Sequence, residues 1–202
     1  MRSESRLELK EDALKKALLA LLFLVLFAGV ALADTELLQN GGFESGVLAP
    51  WTNARDFCNN GTCSAWAVST SNPHTGTYSA MSIGNFELRQ DFTPTPGSQI
   101  TNVSFWIYTS APATAFDFFY TDSSDEESVI FAPQNTWTEE TVTAHVDTGK
   151  TLSGFSIWGA SPSITTYVDD VSITATPEPA TLVLLGGSAL AVCGNLRRRM
   201  KG

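Results

Sequence analysis

Basic residues are nearly missing from the middle of this 202-residue chain. Only Arg55, Arg89 and Lys150 fall between residues 34 and 176, against sixteen Asp and Glu, a net charge of −13. The whole-chain value of −9 hides this deficit, because the other basic residues lie at the two ends. Such a field repels phosphate backbones and argues against nucleic acid as a partner. It also repels anionic polysaccharide unless a divalent cation intervenes. Histidine is scarce too: His74 and His145 stand alone, with no Ser, Cys or Asp motif beside either. G-x-S-x-G, H-E-x-x-H and phosphate-loop patterns are all missing. Nothing in the chain positively indicates catalysis, so the expectation is a non-enzyme. Internal repeats and low-complexity linkers are also lacking.

Two long apolar runs are present, one at each end. Residues 17–33 follow Lys15-Lys16 and close on Ala31-Leu32-Ala33, a small-x-small cleavage site. This reads as a signal peptide over residues 1–33, with a mature start at Asp34. An uncleaved signal anchor is the alternative. The second run, residues 180–196, sits between Pro177-Glu178-Pro179 and the basic cluster Arg197-Arg198-Arg199. As a helix it reaches roughly 25 Å, enough for a thin bilayer. The basic end stays on the cytoplasmic side. Residues 1–33, 34–176 and 177–202 are thus read as signal, passenger domain and tail.

The passenger, 143 residues long, can bury a full core without help. Short apolar or alternating stretches recur in it: residues 64–70, 78–83, 86–92, 103–109, 115–121, 128–132, 136–146, 152–159 and 166–174. Turn material separates them, including Thr93-Pro94-Thr95-Pro96-Gly97 and the acidic stretch 122–127, read as a solvated hairpin tip. This spacing, without helical periodicity, predicts an all-β sandwich or jelly roll. Cys58 and Cys63 bracket the turn-forming Asn59-Asn60-Gly61-Thr62 and read as a disulfide in an exported domain. Closing so small a loop contributes about 2 kcal/mol in the chain-entropy picture.

The tail, Pro177-Glu178-Pro179 through Arg197-Arg198-Arg199, resembles the PEP-CTERM sorting signal of Gram-negative surface proteins. That resemblance implies processing by an exosortase-type enzyme, transient tethering to the inner membrane, and a final location at the cell surface or in the extracellular matrix. An ordinary tail anchor is the alternative. Within the passenger, Asn40-Gly41-Gly42-Phe43-Glu44-Ser45-Gly46 with Pro50-Trp51 resembles the opening of galactose-binding-like jelly rolls. That group includes several carbohydrate-binding modules. His74 to Ser79 and Tyr167-Val168-Asp169-Asp170-Val171-Ser172-Ile173 are similar to their next strand entry and closing strand. The resemblance implies a single jelly-roll domain. It also implies a structural calcium ion held by Glu44 and Asp169, with Asp170 as an alternative ligand.

Parity places Asp169 on one face with Val171 and Ile173, so it is expected to point inward. A buried carboxylate needs a partner. Calcium is one solution; hydrogen bonds to loop amides or to a Thr are the other. Parity also sets Trp106 and Tyr108 opposite Val103, Phe105 and Ile107, and Trp158 opposite Phe155 and Ile157. One sheet face carrying Trp106, Tyr108 and Trp158 would make a stacking platform for sugars. The competing reading is that loops cover that face. Trp51, Trp66 and Trp137 read as core or edge packing. The expected function is therefore a non-catalytic exported protein whose jelly roll contacts extracellular polysaccharide, with a structural matrix or adhesion protein as the alternative.

Overall fold

The computed structural model describes residues 33–58, 63–159, 161 and 163–177. The segment read above as a signal peptide, up to Leu32, and the segment read as a sorting tail, after Pro177, lie outside the described residues. Among the described residues, no helix is long and apolar enough to cross a membrane. Asp34–Pro177 forms one compact unit.

That unit is an all-β sandwich of two sheets. Eleven strands run β1 (Thr35–Glu36), β2 (Thr52–Asp56), β3 (Ser64–Ser69), β4 (Ser79–Ile83), β5 (Phe86–Pro96), β6 (Ile100–Thr109), β7 (Ala113–Tyr120), β8 (Asp125–Phe131), β9 (Thr138–Thr141), β10 (Thr151–Trp158) and β11 (Thr165–Ala175). The first sheet is ordered β3-β4-β11-β6-β9, with β1 added on β11; the second is ordered β2-β5-β10-β7-β8. Alternation drives the packing. On β6, Val103, Phe105 and Ile107 are buried while the residues between them are half-buried. From the other sheet, Leu88, Phe116, Phe118, Phe155 and Ile157 complete the core, all fully buried. Phe105 meets Phe116 at 6.5 Å and Phe155 at 5.9 Å between ring centroids, distances at which aromatic pairs still attract. Trp51 and Trp66 are buried with this core.

Three features of the chain differ from the sequence expectation. β5 runs on through Thr93-Pro94-Thr95-Pro96, read above as a turn. A proline is tolerated there because β2 pairs only with the first part of β5, leaving one edge of its far end unpaired. β8 begins at Asp125, so Asp125, Glu126 and Glu127 belong to a strand and not to a hairpin tip. β2 and β1 carry no apolar alternation and went unread.

The opening segment clamps the closing strand. Val171 N donates to Gly41 O at 3.0 Å, and a Cβ on Gly41 would stand 1.9 Å from Val171 O, so only glycine fits. Phe43 follows with φ +57° and plugs its ring into the core. Cys58 and Cys63 are joined in a disulfide, Cα atoms 6.1 Å apart, packed against Gly84.

Candidate functional site

The outer face of the five-stranded sheet carries a cleft. Its floor is set by alternation on three neighbouring strands. On β5, Leu88 faces the core, which turns Glu87, Arg89 and Asp91 outward. On β7, Phe116 and Phe118 face the core, which turns Ala115, Asp117 and Phe119 outward. On β10, Phe155 and Ile157 face the core, which turns Ser156 and Trp158 outward. The ladder aligns Arg89, Ser156, Asp117 and Glu127 in one row and Glu87, Trp158, Ala115 and Val129 in the next.

Arg55 of β2 crosses this floor. Its Nε lies 3.2 Å from Glu87 Oε2, and its guanidinium sits 5.5 Å from the Trp158 ring centre and 5.8 Å from that of Phe119. On either side of it lies a hollow. One, about 530 Å³, is lined by Phe57, Trp158, Val129, Ala115 and Glu127. The other, about 340 Å³, is lined by Arg89, Phe119, Tyr120, Asp125 and Ser153. Phe57 packs against Trp158 with ring centres 4.7 Å apart and planes tilted by 37°, and both Phe57 and Val129 are exposed. Arg89 lies 3.6 Å over Phe119 and pairs with Asp91 at 2.7 Å.

The floor is polar and short of partners. Among the described residues, nine buried side-chain nitrogen and oxygen atoms have no hydrogen-bond partner, and six of them are here: both carboxylate oxygens of Glu87 and Asp117, Ser156 Oγ and Trp158 Nε1. Buried polar groups are normally paired, so such a concentration calls for water or a ligand to complete it. Burial, reinforced by the charges of Asp125 and Glu87, pushes the Asp117 carboxyl up to about 6. The sequence reading named only Trp158 of this site. The charged alternation Glu87-Arg89-Asp91 was a usable signal, but a surface strand carries the same pattern.

The structure divides the expected aromatic platform. Trp106 and Tyr108 lie on β6 of the six-stranded sheet, whereas Trp158 lies on β10 of the other. They cannot share a face. Trp106 stacks on His74 at 3.8 Å, while Tyr108 packs against Tyr167 and Trp137. His74 and Trp137, from segments outside the strands, pack against these rings, and all of them are half-buried. This matches the competing reading, in which loops cover the face.

Asp169 is also placed differently from the parity argument. One extra residue sits between Asp169, opposite Trp106, and Ser172, opposite Ser104. This β-bulge reverses the alternation. Thr166 and Val168 are buried before it and Val171 and Ile173 after it, so Asp169 faces the Trp106 side and not the core. It is nonetheless fully buried, beneath residues 73–75. His74 N and Thr75 N donate to Asp169 Oδ2 at 2.9 and 3.3 Å, and Asp170 N donates to Oδ1 at 2.8 Å. Burial raises this carboxyl to about 6 despite those amides. Asp170, at φ +48°, accepts from Thr75 Oγ1 and contacts His74 Nδ1 at 2.8 Å. Glu44 accepts from Thr77 N and Tyr78 N at 3.0 and 2.8 Å.

The carboxylates of Asp169 and Asp170 lie near Gly42, whereas that of Glu44 lies against Gly76. A Cβ on Gly42 would meet Asp170 Oδ1 at 3.4 Å, Asp169 Oδ1 at 3.9 Å and Glu44 Cγ at 3.9 Å. An all-oxygen donor set of this kind suits calcium. Among the described residues, no three acidic, His or Cys side chains are placed to hold a metal ion. A calcium ion here would therefore need backbone carbonyls in its shell as well. The amides already satisfy the buried carboxylate in the hydrogen-bonded way foreseen as the alternative.

No family model matches the chain, and no curated protein matches it. Solved structures do. The CBM22-1 xylan-binding domain of Paenibacillus barcinonensis Xyn10C superposes with a TM-score of 0.53 at 14% identity, over 74% of this chain and 99% of that one. A family 16 carbohydrate-binding module gives 0.51 at 14% identity, over 68% and 98%. The enzymatically active domain of bacteriophage CBA120 tailspike protein 4 gives 0.56 at 12% identity, over 68% of this chain but only 21% of that one. At these identities the likeness is one of fold: the chain shares the β-sandwich architecture found in carbohydrate-binding modules.

Proposed function

We propose that this protein is an exported, non-catalytic glycan-binding module, and that polysaccharide binds along the outer face of β10 between the two hollows. The observation that carries this reading is the floor of Glu87, Asp117, Ser156 and Trp158, whose six buried polar atoms make no hydrogen bond, Glu87 being held only by its ion pair with Arg55. Sugars present rings that stack on aromatics and hydroxyls that both donate and accept. A floor with unmet acceptors, one indole donor and the rings of Phe57, Trp158 and Phe119 complements both. From Ser153 to Trp158 the strand advances roughly 17 Å, which gives the hollows the extent of a short oligosaccharide.

The Pro177-Glu178-Pro179 motif and the Arg197–Arg199 cluster support delivery by an exosortase-type system to the cell surface or matrix. A structural matrix protein with no specific glycan is the rival. Affinity electrophoresis of the full-length protein against plant and bacterial polysaccharides separates the two. Trp158→Ala should weaken retardation at least tenfold while far-UV circular dichroism stays unchanged. Retardation by no polysaccharide would favour the structural rival.

Calcium at Glu44, Asp169 and Asp170 belongs to the same proposal, as a stabiliser of the sandwich edge. A site filled at 100 times its dissociation constant adds about 2.7 kcal/mol. Chelator should then lower the melting temperature by several degrees, and Glu44→Gln should remove that shift. An unchanged melting temperature would leave the amides as the whole account of these carboxylates.

A further inference from the structure

The charges of the cleft are unevenly matched. Both arginines lie on the β2–β5 side, and each is engaged, Arg55 with Glu87 and Arg89 with Asp91. The β7–β8 side carries Asp117, Asp125 and Glu127, and among the described residues none of these has an ion-pair partner. Asp117 stands directly opposite Glu127 in the ladder. Like charges placed opposite each other destabilise a sheet. Asp117 is 1% exposed, and both its oxygens lack a hydrogen bond. Its neighbours Phe116 and Phe118 point to the core, so the carboxylate lies on the outer face of the sheet, buried between Glu127, which lines one hollow, and Ser156. The other half of the floor shows what such a site accepts: a planar cation, Arg55, laid across two aromatic rings with a carboxylate beneath.

We propose that the cleft prefers a glycan bearing free amino groups, an N-deacetylated hexosamine polymer, with its ammonium seated against Asp117 and Glu127. This rests on the glycan-binding reading above and narrows its ligand. An ammonium supplies the donors that Asp117 lacks and the positive charge that the β7–β8 side lacks. A neutral sugar supplies only the donors. An acidic sugar meets three carboxylates, and charge-assisted hydrogen bonds are the stronger kind.

The test is calorimetric titration of the full-length protein at neutral pH and moderate salt with four probes: glucosamine hexamer, N-acetylglucosamine hexamer, xylohexaose and spermidine. The glucosamine hexamer should bind at least tenfold tighter than the other three. Asp117→Asn and Glu127→Gln should each erase most of that difference; two variants guard against one failing to fold. If a neutral oligomer binds as well and Trp158→Ala abolishes it, glycan binding stands and the amino-sugar preference falls. If spermidine equals the glucosamine hexamer, only general attraction to an acidic domain is at work, and the proposal falls. If no oligomer binds, both readings fall together.

Discussion

At the scale of single residues, Asp117 is the group most at odds with its surroundings. Its ordinary carboxyl range is near pH 4, and burial holds it at about 6 in the folded protein. Between those values the folded state keeps a proton that the unfolded state has released. Stability is therefore greatest below about pH 4 and is lost as pH rises through 6. Asp169 shifts in the same direction and adds to the same slope. Asp117→Asn, which cannot ionise, should raise the melting temperature at pH 7 by a few degrees. It should also flatten the dependence between pH 4 and 6 without abolishing it, because Asp169 remains. Thermal melts of both proteins at pH 4.5 and 7 check this; a variant melting below the wild type at pH 7 would mean that Asp117 is already compensated.

At the scale of elements, β2 matters more than its five exposed residues suggest. It delivers Arg55 to the floor, and the chain just beyond it delivers Phe57 to the wall. The Cys58–Cys63 bond ties that stretch down, and Asn85 N donates to Cys58 Sγ at 3.2 Å. Reduction, or replacing both cysteines by serine, should cost about 2 kcal/mol of stability. It should cost proportionally more in glycan affinity, since Phe57 and Arg55 lose their anchor; melts and affinity electrophoresis with and without reductant measure both. Legibility in the sequence also varied by element. β6 was readable residue by residue, because Val103, Phe105 and Ile107 alternate cleanly with Trp106 and Tyr108. β11 was not, because a bulge leaves no mark in a pattern of two acids between apolar residues. β2, with no apolar alternation, gave no signal at all. The site suffered most. Whether Trp106 and Trp158 share a face depends on which sheet each strand joins, and that is decided by long-range pairing.

At the scale of the molecule, the two outer faces have different characters. The six-stranded sheet wears a layer of interlocked rings around His74 and Trp106. The five-stranded sheet wears a charged, partner-poor floor. A strongly acidic domain repels copies of itself and anionic polymers. The closing strand of the six-stranded sheet carries one added residue, Asp170, in an otherwise regular stretch of ladder. Removing Asp170 would leave a regular strand, with Val171 opposite Phe105 and Ser172 still opposite Ser104, so Val171 and Ile173 would keep facing the core. A one-residue deletion there should therefore still fold, but melt below Asp170→Asn. The deletion loses the contacts of Asp170 with His74 and Thr75, while Asn tolerates the same left-handed backbone. Thermal melts followed by circular dichroism rank the two, and an insoluble deletion variant would show that the bulge itself is needed for folding. Asp170 works as a parenthesis in the chain: the frame in which the last six residues before Pro177 are read is the same with it or without it.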